Sequence, residues 1–153
     1  MPIYDPSYQA GEDEVLIAEL QYREIIYTVL DRFQRANPMT TYSLIVYAGN
    51  DKEFLIYVKD RNLVPIDLTG ATAVMTFKTT KSGSVLFQLS TANPAQGIIA
   101  VPTQGEVRFY LVPSNTSSLD IRQYHFDVTI TTSSGKKYTV LDAIMNLKEP
   151  VNS

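Results

Sequence analysis

The single histidine, His125, stands two residues before Asp127. In an extended strand that spacing places both side chains on one face, where a carboxylate can orient an imidazole for general-base work. A base also needs a nucleophile and a pocket, and the neighbouring sequence supplies neither. Read as strand residues, the two need only solvent. Paired carboxylates would signal glycoside hydrolysis. Asp67, Glu106, Asp120 and Asp127 instead sit in or beside turn-forming stretches at no informative spacing, where Asp commonly stabilises backbone geometry. Gly49-Asn50-Asp51 and Ser82-Gly83-Ser84 mimic phosphate loops only loosely, lacking both the glycine spacing and the following helix, and read as turns. With one histidine and no cysteine, disulfides, thiolate catalysis and cysteine-based zinc or iron-sulfur sites are excluded. No catalytic, cofactor-binding or metal-binding residue is assigned. The expectation is a non-catalytic chain with no cofactor and no small-molecule substrate.

The elements that would position any site begin with an acidic arm. Residues 1–40 hold 7 acidic and 3 basic side chains, net -4, whereas residues 41–153 hold 9 acidic and 10 basic, net +1. Across residues 12–36 the spacing predicts a helix, because Val15, Ala18, Tyr22, Ile25, Val29 and Phe33 recur at three- and four-residue steps. Glu12, Asp13 and Glu14 suit the positive end of its dipole, Arg32 and Arg35 the negative end, and Pro38 stops it. The β-rich run Ile25-Ile26-Tyr27-Thr28-Val29 supports a rival reading as two strands. As a helix, the segment is apolar around more than one face, since Leu16, Ile17, Leu20, Ile26, Tyr27 and Leu30 lie off the main stripe. Such a helix is rarely left in water.

Beyond Pro38 the period changes to two. Runs at Tyr42 to Tyr47, Phe54 to Lys59, Thr72 to Lys78, Val85 to Leu89, Glu106 to Val112, Tyr124 to Thr131 and Tyr138 to Leu147 are rich in β-branched and aromatic residues. Turn chemistry such as Asp60-Arg61-Asn62, Asn93-Pro94 and Ser134-Gly135 bounds them. Tyr124, Phe126, Val128 and Ile130 share one face, while Gln123, His125, Asp127 and Thr129 share the other, so one face is buried and one is wet. Short strands at this spacing indicate an all-β sandwich. The polar stretch from Pro113 to Asp120 is expected to make one short turn crossing between strands.

Composition limits the partners. The chain of 153 residues is 44% hydrophobic and 19% charged, a globular composition. Its net charge of -3 and lack of a basic run give none of the electrostatic footprint of a nucleic-acid binder. No apolar run approaches membrane-spanning length, and the start lacks a signal-peptide pattern. No nucleic acid and no membrane are expected, and the protein is expected to be made and assembled in a cytoplasm. Tyr4, Tyr8, Tyr22, Tyr27, Tyr42 and Tyr47 crowd the first third of the chain, and Tyr, with apolar area and a polar tip, is favoured at protein interfaces. Tyr4, Tyr8, Leu16, Leu20, Tyr27 and Leu30 are the candidate assembly interface.

The run Val64-Pro65-Ile66-Asp67-Leu68-Thr69-Gly70-Ala71-Thr72 resembles the corner of the N-terminal immunoglobulin-like domain family of phage baseplate upper proteins. In order along the chain, Asn50-Asp51-Lys52-Glu53-Phe54-Leu55 is similar to that family's first strand, Gly105-Glu106-Val107-Arg108-Phe109-Tyr110 to its middle strand, Tyr124-His125-Phe126-Asp127-Val128 to its Tyr-x-x-Asp strand, and Gly135-Lys136-Lys137-Tyr138 to its last hairpin. At the corner, Asp67 is expected to cap, Leu68 to anchor in the core, and Gly70 to supply a backbone angle that other residues resist. The resemblance implies a mainly β fold, an immunoglobulin-like antiparallel β-sandwich over residues 41–149; residues 1–40 have no counterpart in it and are read from their own pattern as a helical assembly arm, with residues 150–153 as a tail. It implies a bacteriophage virion structural protein of the tail baseplate, neck, fibre adaptor or capsid decoration, whose partners are other copies of itself and other virion proteins. A receptor- or carbohydrate-binding module of a phage tail is the alternative.

Overall fold

The computed structural model describes residues 23–29 and 42–150. These form nine strands: β1 (Arg23–Val29), β2 (Tyr42–Tyr47), β3 (Lys52–Lys59), β4 (Thr72–Lys78), β5 (Val85–Ser90), β6 (Gly97–Val101), β7 (Glu106–Leu111), β8 (Gln123–Thr131) and β9 (Lys137–Lys148). A 3-10 turn, Pro102–Gln104, joins β6 to β7, and one short helix, α1 (Pro113–Thr116), carries the chain from β7 to β8. The strands divide into a four-stranded sheet, β1-β3-β7-β6, and a five-stranded sheet, β2-β9-β8-β4-β5.

Alternation writes the sandwich. In β8, Tyr124, Phe126, Val128 and Ile130 are buried while the residues between them are not, as the pleat requires when one face meets a second sheet. Phe54 from β3 meets Phe126 and Phe77 at ring-centroid distances of 5.7 and 6.5 Å, and Phe77 lies 5.2 Å from Phe126 and 4.5 Å from Phe87. Tilted and offset rings at these separations add roughly 0.5–1.5 kcal/mol per pair to simple area burial. This cluster fastens the two sheets, with Ile56, Val107, Phe109, Met75 and Met145 packed around it.

Two expectations are corrected. The helix expected over residues 12–36 does not hold at Arg23–Val29, which is strand β1. Two-residue alternation sends Ile26 and Thr28 into the core and leaves Ile25 and Tyr27 outside, and β-branched residues fit such a pleated surface better than a helical one. The rest of the expected helix, residues 12–22 and 30–36, lies outside the described residues, as do residues 151–153 of the expected tail. Nor is the sandwich wholly antiparallel: β1 pairs with β3, and β2 with β9, in parallel register. The segment assigned to an arm thus supplies an edge strand of the four-stranded sheet. Strand β6 was not expected at all, and the turn expected after Val112 is α1.

The corner between β3 and β4 is built as its residue types require. Asp67 Oδ1 accepts hydrogen bonds from the Thr69 amide (3.0 Å) and the Thr69 hydroxyl (2.6 Å). The buried Leu68 donates its amide to Pro102 O at 2.9 Å. Gly70 has φ +77°, and a Cβ there would meet Ser133 Cβ at 3.0 Å, so the corner leans on the β8–β9 hairpin.

Candidate functional site

The five-stranded sheet turns His125 and Asp127 outward, as alternation predicts. They line a cleft of about 220 Å³ with Lys78, Lys81, Phe126, Thr139 and Asp142, smaller than the roughly 300–1,000 Å³ of ordinary ligand pockets. Register places Asp127 opposite Asp142 on β9, and His125 opposite Lys78 on β4. Burial, and then the neighbouring Asp142 charge, push the Asp127 carboxyl above its ordinary range, while Lys78 and Lys137 pull it back. Lys81 Nζ lies 3.4 Å from Asp142 Oδ2. The strip therefore mixes carboxylates with cations, and Asp142 is ion-paired with Lys81. Among the described residues no group of three or more His, Cys, Asp or Glu is arranged to hold a metal ion.

The opposite surface of the molecule has a different character. On the outer face of the four-stranded sheet, register aligns Ile25, Leu55, Arg108 and Ile98 in one row, and Tyr27, Tyr57, Glu106 and Val101 in the next. Ile25 is 47%, Tyr27 56% and Ile98 43% exposed. The Tyr27 and Tyr57 rings stack at 5.2 Å with 16° between their planes, and Lys59 Nζ sits 5.3 Å from the centre of the Tyr27 ring, within cation–π range. The Tyr42 hydroxyl donates to Tyr27 O at 2.7 Å. Strand pairing, the ring stack and this bond fix Tyr27 on three sides and leave its outward surface open.

Charges run through the same face. Arg108 Nε donates to Glu106 Oε2 at 3.0 Å, which raises the guanidinium above its ordinary pKa. Burial, followed by the Glu106 charge and its hydrogen bond, raises the Tyr57 phenol. Arg23 Nε lies 3.2 Å from Glu53 Oε1, yet that buried oxygen receives no hydrogen bond. The pair is close enough for Coulomb attraction but out of line for donation. The face thus carries exposed aliphatic and aromatic side chains crossed by ion pairs.

Of the residues expected at an assembly interface, Tyr27 is on this face. Tyr4, Tyr8, Leu16, Leu20 and Leu30 lie outside the described residues. Sequence reading missed Ile25, Leu55, Tyr57, Ile98 and Val101, which come together only through register. The corner residues Asp67, Leu68 and Gly70 stand apart from the face, in the structural arrangement described above.

Fold and face together define a mainly β, two-sheet sandwich with one exposed aromatic sheet face. Among solved structures it is similar to the N-terminal domain of phage TP901-1 ORF48, with a TM-score of 0.51 and 8% sequence identity over 82% of this chain and 100% of that one. That similarity is one of fold. A second similarity, to extracellular domains 3–5 of Drosophila OTK, has a TM-score of 0.33 and 12% identity over 72% of this chain and 34% of that chain, and carries no argument. No family model and no curated protein matches the chain. Among the described residues no helix is long and apolar enough to cross a membrane.

Proposed function

We propose that the chain is an immunoglobulin-like structural protein of a tailed-phage particle, without catalytic activity, that assembles through contacts with other copies of itself and with other virion proteins. Tail baseplate, neck, fibre adaptor and capsid decoration are the positions open to it, after synthesis in the host cytoplasm. The observation that carries this reading is the alignment of a solved phage domain with the sandwich over that domain's whole length. Strand order supports the immunoglobulin-like assignment: β3-β7-β6 occupies the places of the B, E and D strands and β9-β8-β4 those of G, F and C, while β1 takes the edge place beside B but runs parallel to it.

Immunogold labelling and protein mass spectrometry of particles purified from a culture producing this chain test the reading. The chain is expected to sediment with particles and to label one fixed position on them. Recovery only in the soluble fraction defeats it. For the non-catalytic part, replacing both His125 and Asp127 by Ala is expected to leave incorporation and infectivity unchanged. Lost infectivity with intact assembly would count against it. A receptor- or carbohydrate-binding module is the second reading, favoured by the open, stacked Tyr27 ring. A glycan array on which binding disappears with Tyr27→Ala would select it.

A further inference from the structure

We propose that the hairpin tip at residues 61–64, between β3 and β4, is a docking knob that seats in an apolar, carboxylate-rimmed pocket of a neighbouring virion protein, an inference that rests on the phage-particle reading above.

The tip is built around one carboxylate. Asp60 Oδ1 accepts the amides of Asn62 (2.8 Å) and Val64 (3.0 Å), the Leu63 amide donates to Asp60 O at 2.9 Å, and the Asp60 amide donates to Val64 O at 2.8 Å. Arg61, Asn62 and Leu63 thus form a three-residue hairpin loop, whose last residue takes the left-handed conformation and is ordinarily Gly or Asn. Here Leu63 takes it, with φ +64°, the one non-glycine to do so among the described residues. Such strain persists where the surrounding structure enforces it, yet Leu63 is 65% and Val64 54% exposed. Asn62, the residue suited to that angle, stands one place too early. The fold gains nothing from a leucine at this position, and a strained side chain held out in water marks a point of contact.

The surroundings name the partner's chemistry. Lys59 pairs with Pro65 at the base of the hairpin, and its Nζ lies over the Tyr27 ring, so the knob stands at the end of the sheet face that exposes Tyr27. Arg61 is exposed beside Leu63, whereas Asp60, the one carboxylate of the hairpin, is held by the loop's own amides. An apolar knob with cations at its sides fits an apolar pocket with carboxylates at its rim. A second copy is a poorer host. The cleft that holds Asp127 and Asp142 is lined by Lys78 and Lys81 as well, which would meet Arg61 with like charge.

In a culture producing parent and Leu63→Asn full-length chains together, mass spectrometry compares the variant-to-parent ratio on purified particles with that in the soluble pool. The ratio is expected to fall roughly tenfold on particles, the scale for removing an interface anchor, while the isolated variant unfolds in denaturant at or above the parent's midpoint. Equal ratios overturn the proposal, and so does a lowered midpoint, which would make Leu63 a residue of the fold. Arg61→Glu is expected to be depleted from particles with its midpoint unchanged, and undiminished incorporation overturns the carboxylate rim. Purified parent and Leu63→Asn chains are expected to scatter light alike as concentration rises. Self-association that disappears with Leu63 would seat the knob on a second copy and overturn the proposal. A parent chain absent from particles defeats the phage reading itself, whereas a parent present with equal ratios defeats only the knob.

Discussion

Gly70 has a positive φ that any side chain would strain, and its missing Cβ also leaves room for Ser133. Because Asp67 holds Thr69 and Leu68 holds Pro102 O, the corner cannot swing to relieve an intruding side chain. Gly70→Val is expected to destabilise the fold by about 1–3 kcal/mol, the range for strained backbone positions, read as a lower midpoint in chemical denaturation with an unchanged slope. An unaltered midpoint would show that the corner yields. Asp127 behaves differently, because burial raises its carboxyl pKa, so the folded state binds the proton more tightly than the unfolded chain. Stability must then fall as pH rises from the ordinary carboxylate value through the raised one, and the penalty is fully present above both. Asp127→Asn removes the charge and is expected to melt higher than the parent at neutral pH, with the gap closing once the medium is acid enough to protonate the unfolded carboxylate. A gap that persists unchanged in acid would mean that packing, not charge, caused it. The sequence placed His125 and Asp127 on one face correctly, but Asp142, which helps to tune Asp127, joins them from β9 through register alone.

At the scale of elements, β1 shows where sequence reading reaches its limit. Apolar residues recurring at three- and four-residue steps from Val15 to Phe33 suggest a helix, while the five residues from Ile25 to Val29 suggest a strand, and over Arg23–Val29 the local β-branched run prevails. The winning force is tertiary. β3 offers a free edge on which seven residues of β1 find partners, and only the strand conformation sends Ile26 inward at 0% exposure and lets the Thr28 hydroxyl donate to Val140 O across the sandwich. Ile26→Ala is therefore expected to cost about 2–5 kcal/mol, the range for deleting buried Ile or Leu side chains, measurable by equilibrium unfolding. A cost of a few tenths would mean that β1 is only loosely seated. β6 was illegible for the opposite reason: Gly97-Ile98-Ile99-Ala100-Val101 does not alternate, follows an Asn-Pro turn, and is defined by its pairing with β7. β8 was legible because its alternation is complete: β4 pairs along it without a shift, and β9 absorbs its one register shift between Val128 and Thr129 without moving the buried face.

At the scale of the whole molecule, the two N-terminal strands close the sandwich on opposite sheets, β1 beside β3 and β2 beside β9. That arrangement bears on where the chain can be divided. A boundary near residue 40 follows the change in charge and period along the sequence, but it cuts β1 away from β3. Removing β1 withdraws Ile26 from the core, worth roughly 1.5–3 kcal/mol for a fully buried side chain. It also takes the salt-bridge partners of Lys52 and Glu53, namely Glu24 and Arg23, and leaves β3 as a bare edge carrying Phe54 and Ile56. An unpaired, apolar edge is a template for association. A chain of residues 23–153 is therefore expected to unfold in one cooperative transition, whereas residues 41–153 should be less stable by at least about 2 kcal/mol, on the same side-chain scale. The shorter chain should also scatter more light as its concentration rises. Denaturant unfolding of the two, followed by circular dichroism, decides the matter. Equal midpoints would show that β1 rests on a sandwich complete without it, and that the boundary read from charge and period is the physical one.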